Sequence, residues 1–160
     1  MTVVTVTPNS SAGKKRKLVL EEFAPYRIVA LGHAISGRLA RAYRGENITI
    51  PEWRVLAVIG EVDRVAARDV VRRTPMDKMT VSRAVASLEQ KGFVNRAADA
   101  EDRRVSMLSL SSEGHKLFDR VAAMALDFEA DLLSTLTPDE AAAFGAVMEK
   151  LEARAIEYEE

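Results

Sequence analysis

Residues 76–92, MDKMTVSRAVASLEQKG, constrain the fold more than any other stretch of the chain. On a helix, at about 100° per residue, Val81, Ala84, Val85 and Leu88 fall on one face. Met79, Thr80, Ser82, Arg83, Ala86 and Ser87 fall on the other. That second face is small, hydroxylated and cationic, where a solvated helix face ordinarily mixes Glu with Lys. Asp77 is placed to cap the helix and Gly92 to stop it. Short side chains let a backbone come near base edges, and the absence of carboxylates avoids repelling phosphate.

The flanking segments supply the context such a helix needs. RVAARDVVRRT (64–74) predicts a short helix with Val65, Val70 and Val71 as its apolar set, ended at Thr74-Pro75. After Gly92, FVNRAADAEDRRVSMLSL predicts two strands, Phe93 to Ala97 and Arg104 to Leu110, around a polar tip. Upstream, residues 18–44 read as a long Ala- and Leu-rich helix with Pro25 near its start. NITIPEWRVLAVIGEV then turns into a second, largely buried helix; Pro51 suits its first turn, and Thr49 and Glu52 have capping-box spacing. Downstream, Ser111 caps a helix over roughly 112–134, and TPDE (137–140) opens the last one. There Phe144, Met148, Leu151 and Ala155 make one apolar stripe. The expected fold is mainly α with a small β-hairpin wing: a winged helix-turn-helix core between long terminal helices. The expected division is a flexible arm at 1–17 carrying KKRK, an N-terminal helix at 18–46, the winged core at 47–111 and C-terminal helices at 112–160.

The net charge of −1 conceals a gradient: residues 64–104 balance at +4, residues 105–160 at −8. The middle of the chain is therefore the part suited to a polyanion. With no cysteine there is neither a disulfide framework nor a thiolate metal site, and oxidation of a thiol is excluded as a switch. No apolar run approaches the ~20 residues of a membrane span, and no signal peptide is evident, so a soluble cytoplasmic protein is expected. His33 and His115 are the only histidines, and no catalytic or dinucleotide-binding motif stands out. No enzyme activity, catalytic residue, cofactor or metal is expected.

The sequence resembles the MarR family of winged-helix transcription regulators. ITIPEWRVLAVI looks like the opening of the family's second helix, and MDKMTVSRAVASLEQKGFV like its recognition helix and following strand. DRRVSMLSLSSEG (102–114) fits its wing pattern, and the long terminal helices agree; the likeness covers roughly residues 20–158. Thr74-Pro75 stands where the family commonly has a Leu-Gly turn, and Ser111 where Thr is more usual. The resemblance implies a homodimer whose terminal helices interlock. The last helix's stripe and the first helix's apolar content agree, being hard to bury within one winged-helix unit. With two-fold symmetry the operator is expected to be a near-palindrome with half-sites about 34–36 Å apart. Repression is the family habit.

On the predicted recognition helix, Lys78 is expected to meet phosphate and Met79 a thymine methyl. Thr80 and Ser82 would read bases or donate to phosphate, and Arg83 would contact a base edge or phosphate. The resemblance implies that a wing arginine enters the minor groove. Arg103 and Arg104 are the candidates, one of them able to pair with Asp102, and the sequence leaves the choice open. It also implies a small-molecule effector bound near the first, second and fifth helices. Tyr26, Arg27, His33, Ser36, Trp53 and His115 are the candidate lining groups, suited to an aromatic carboxylate or its coenzyme A thioester. The alternative is a winged-helix module that binds protein instead of DNA, which calls for an apolar patch over 79–87.

Overall fold

The computed structural model describes residues 17–156, in two compact units divided within the first helix, after Ala34. The arm expected at 1–17 lies almost wholly outside the described residues, as do 157–160. In the first unit, turns closed by Glu22 N–H to Val19 O (3.1 Å) and Phe23 N–H to Leu20 O (3.1 Å) precede helix α1 (Ala24–Ala42). The helix begins six residues later than expected, at Ala24; the ring and missing N–H of Pro25, its second residue, exclude a preceding helical turn. Leu18, Leu20, Phe23, Ile28, Val29 and Leu31 of this unit are all exposed.

In the second unit, α1 ends in a short 3-10 turn and is followed by α2 (Ile50–Gly60), β1 (Val65–Ala66) and α3 (Ala67–Arg73). Then come α4 (Lys78–Gln90), β2 (Val94–Ala98), β3 (Ser106–Leu110), α5 (Ser112–Leu133) and α6 (Pro138–Ile156). The expected local signals fall where the sequence puts them. Thr49 and Glu52 form a capping box on α2. Asp77 accepts the N–H of Thr80 at the head of α4, and Ser111 that of Gly114 at the head of α5 (2.8 and 2.9 Å). Thr137 and Glu140 exchange bonds at the head of α6.

The wing is more than a hairpin. The sheet is antiparallel in the order β1-β3-β2, with Val65 opposite Leu108 and Val94 opposite Leu110. Val65, expected in the third helix, is instead a strand residue, and α3 starts at Ala67. A two-residue strand has no alternation to read; it exists because β3 offers its other edge.

Beneath this sheet lies one core built from Leu56 and Ile59 of α2, Val70 of α3, Leu108 of β3, and Leu117 and Val121 of α5. From α4 come Val81, Ala84, Val85 and Leu88, the face expected from periodicity. Burying each of these larger aliphatic side chains contributes about 1.5–3 kcal/mol, which fixes which side of α4 looks outward. Two glycines serve the packing. Gly92, at φ +77°, turns the chain from α4 into β2. A Cβ on Gly114 would stand 1.9 Å from the carbonyl oxygen of Phe93, so only glycine lets the head of α5 meet the start of the wing. No helix of the described residues is long and apolar enough to cross a membrane.

Candidate nucleic-acid interface

Core packing leaves Lys78, Met79, Ser82 and Arg83 exposed along the first half of α4, Met79 with 61% of its surface open. Arg72, Arg73, Lys91, Arg96, Lys116 and Arg120 each meet a carboxylate. Among the described residues, Lys78, Arg83, Arg103 and Arg104 form no ion pair. The cations singled out in the sequence are thus among those left with their charge unspent.

The hydroxyls are less uniform than their pattern promises. Thr80 donates its proton to Asp77 Oδ2 (2.8 Å), leaving only its oxygen lone pairs for a partner. The same contacts, first from the Thr80 N–H and then from its hydroxyl, hold the Asp77 carboxyl below the usual range. Ser87, grouped with the outer face in the sequence, is half-buried, and its hydroxyl helps hold the Glu52 carboxyl low.

Glu52 is a buried carboxylate, 3% exposed. It accepts from Thr49 N–H (2.7 Å) and from Lys91 Nζ (2.7 Å), and Lys91 also donates to Asn47 O (2.8 Å). Burial pushes its carboxyl up, but the bonds from Lys91, Ser87 and Thr49 outweigh it, so the carboxyl titrates below its ordinary range. The head of α2 is thereby fastened to Lys91, the residue that closes α4.

At the wing tip, Asp99 accepts the N–H groups of Glu101 (2.9 Å) and Asp102 (3.2 Å), which hold its carboxyl low. Asp99 N–H to Val105 O (2.9 Å) closes the loop. Asp102 does partner Arg104, but through the backbone N–H (3.0 Å) and not the guanidinium, because residues 101–104 turn instead of continuing the strand. Arg96, Arg103 and Arg104 line one shallow depression on this face.

The candidate effector residues divide between the two units. Tyr26, Arg27 and His33 are exposed on the first, with Tyr26 and Arg27 beside Ile28 and Leu31 in one depression. In the second, Trp53 is half-buried between Tyr43 (ring centroids 6.0 Å apart) and Phe118 (6.2 Å, stacked). Ser36 accepts from Arg54 Nη2 (3.2 Å). His115 is exposed in the first turn of α5. Arg54 was missed by sequence reading. It is half-buried, the only cation of α2, meets no carboxylate among the described residues, and lies close enough to Tyr43 to offset part of burial's upward push on that phenol. A lone arginine within WRVLAVI was the available signal.

An apolar groove of about 640 Å³ lies in the second unit, lined by Leu39 of α1, Leu126 and Leu132 of α5, and Phe144 and Met148 of α6. Of the stripe expected on α6, Phe144, Leu151 and Ala155 are exposed and Met148 is half-buried; Val147 is exposed beside them, and no residue of that helix is buried.

Residues 46–105, from the head of α2 through the wing tip, match the model of the MarR family. The HTH-type transcriptional repressor MdtR of Bacillus subtilis is 29% identical over 131 residues, which are 82% of this chain and 84% of MdtR. The crystal structure of the MarR family transcriptional regulator SPO1453 from Silicibacter pomeroyi superposes with a TM-score of 0.75 at 27% identity, over 87% of this chain and 99% of that one. Bordetella bronchiseptica BpsR, from a structural study of the regulation of its DNA binding by 6-hydroxynicotinic acid, shares the fold with a TM-score of 0.76 at 18% identity, over 86% and 98% of the two chains. The winged-helix segment, residues 46–105, thus matches the MarR family in sequence, and the described fold is similar to that of solved MarR-family transcriptional regulators.

Proposed function

We propose that the protein is a cytoplasmic, homodimeric repressor that binds a near-palindromic operator and releases it when an aromatic acid, or the coenzyme A thioester of one, binds. The observation that carries the DNA-binding part is the set of exposed cations without carboxylate partners among the described residues, Lys78 and Arg83 on α4 and Arg103 and Arg104 at the wing tip. Helix α4 enters the major groove with Met79, Thr80, Ser82 and Arg83 toward base edges, while a wing arginine takes the adjacent minor groove. Residues 47–111 act as the reader, and 18–46 with 112–160 join the protomers. The exposed apolar residues of the first unit and the groove beside α6 support that assignment, since obligate interfaces commonly bury about 2,000 Å² or more of largely apolar surface.

For the effector, the Tyr43–Trp53–Phe118 cluster supplies aromatic faces and Arg54, joined to Ser36, supplies a cation that meets no carboxylate among the described residues. That pairing suits an aromatic carboxylate. The regulation of BpsR by 6-hydroxynicotinic acid and the repressor role of MdtR lend this reading support. The test is enrichment of duplexes from a random pool, followed by titration of the enriched sequence. A palindromic consensus bound by a dimer is expected, with Arg83→Ala weakened by about 1–3 kcal/mol and relaxed at one base position. Unchanged binding by Arg83→Ala would sink the docking.

A further inference from the structure

Helix α4 and the wing must each meet their own groove, so the angle between them matters as much as either surface. The chain turns that corner at Gly92. One exposed side-chain contact spans it. Arg96 on β2 grips Glu89 in the last turn of α4 with Nε to both carboxylate oxygens (3.0 and 3.1 Å) and Nη2 to Oε2 (2.8 Å). Their side chains are 40% and 30% exposed. Exposed pairs add little to folding stability, and the corner is already held by Ser111 Oγ donating to Gly92 O (2.6 Å) and by Lys91 on Glu52. A forked guanidinium–carboxylate contact does fix orientation. Arg96 is opposite Leu108 on β3, and the β2–β3 ladder runs on to the tip that carries Arg103 and Arg104.

We propose that the Glu89–Arg96 pair is a positioning brace that sets the wing against the recognition helix, so that both grooves are engaged at once. It rests on the DNA-binding reading above. The brace contributes specificity instead of charge: Arg96 is neutralised by Glu89 and is not itself a phosphate contact.

The test uses a duplex enriched by the parent protein and a scrambled duplex of equal length at one salt concentration. Arg96→Gln, Arg96→Lys and Glu89→Gln are expected to melt like the parent. In all three, the ratio of specific to scrambled affinity falls by about two- to fivefold, the ceiling expected of an exposed pair. The charge-swapped double variant E89R/R96E regains the parent ratio. Hydroxyl-radical footprints of Arg96→Lys keep the major-groove protection of α4 and lose that of the wing. If Glu89→Gln tightens and Arg96→Gln loosens both duplexes alike, with the ratio unchanged, the pair acts through charge alone and the brace is refuted. Full specificity in Arg96→Lys, which keeps the charge but not the fork, refutes it equally. A parent that enriches no duplex overturns the DNA-binding reading, and the brace with it.

Discussion

Replacing Lys91 by Met isolates the fastening between α2 and the recognition helix. Glu52 is 3% exposed, and its cation lies 2.7 Å away with 27% of its side chain open to solvent. Stripping the partner from a fully buried carboxylate costs about 3–5 kcal/mol. Water reaches Lys91, and Thr49 keeps its bond to Glu52, so the cost falls to the bottom of that range or just below it: about 2–3 kcal/mol. For a chain of this size each kcal/mol moves the melting temperature by about 2–4 °C, which puts Lys91→Met roughly 4–12 °C below the parent. The pH dependence gives the sharper signature. The Glu52 carboxyl titrates below its unfolded value, so its contribution is complete above about pH 4.3 and is lost as pH falls through the lowered folded value. In Lys91→Met burial is less opposed, Glu52 protonates more readily, and the gap to the parent closes as pH falls below about 4. Urea and thermal denaturation at fixed protein concentration, from pH 7 to 3.5, measure this. The double variant E52Q/K91M should recover much of the loss. A melting temperature within about 1 °C of the parent, or a gap that does not change with pH, would refute the reasoning.

The other expectations concern packing, phosphate and effector. Gly114→Ala forces a methyl onto the Phe93 carbonyl 1.9 Å away and should destabilise by about 2–4 kcal/mol in urea denaturation; a variant as stable as the parent would mean that α5 and the wing part easily. Lys78→Ala removes one phosphate contact from each protomer, so it should weaken binding to all duplexes alike and reduce the slope of log affinity against log salt by about 2 for the dimer, read by fluorescence anisotropy. A loss confined to one sequence would make Lys78 a base reader. Arg54→Met should abolish the rise in melting temperature produced by benzoate or salicylate in the parent, whereas Arg27→Met should not. The reverse outcome moves the carboxylate anchor to the first unit.

What the sequence decided by itself was local. The caps at Thr49, Asp77, Ser111 and Thr137 join residues three apart, and such bonds depend only on the turn that contains them. The buried face of α4 followed from helical period, and the cationic outer face from which residues were left over. The tertiary structure decided everything that depends on residues brought together from far apart. Val65 became a strand because Leu108 came alongside it. Ser87 turned from the outer face toward Glu52, and Lys91 reached that same carboxylate from 39 positions away. Asp102 met the backbone of Arg104 because the tip turned. Arg54 emerged as a half-buried cation only once Ser36 and Tyr43 stood beside it. Periodicity states which side of an element is apolar, but the partner of a side chain is set by the register and angle at which elements pack, and no single segment encodes those.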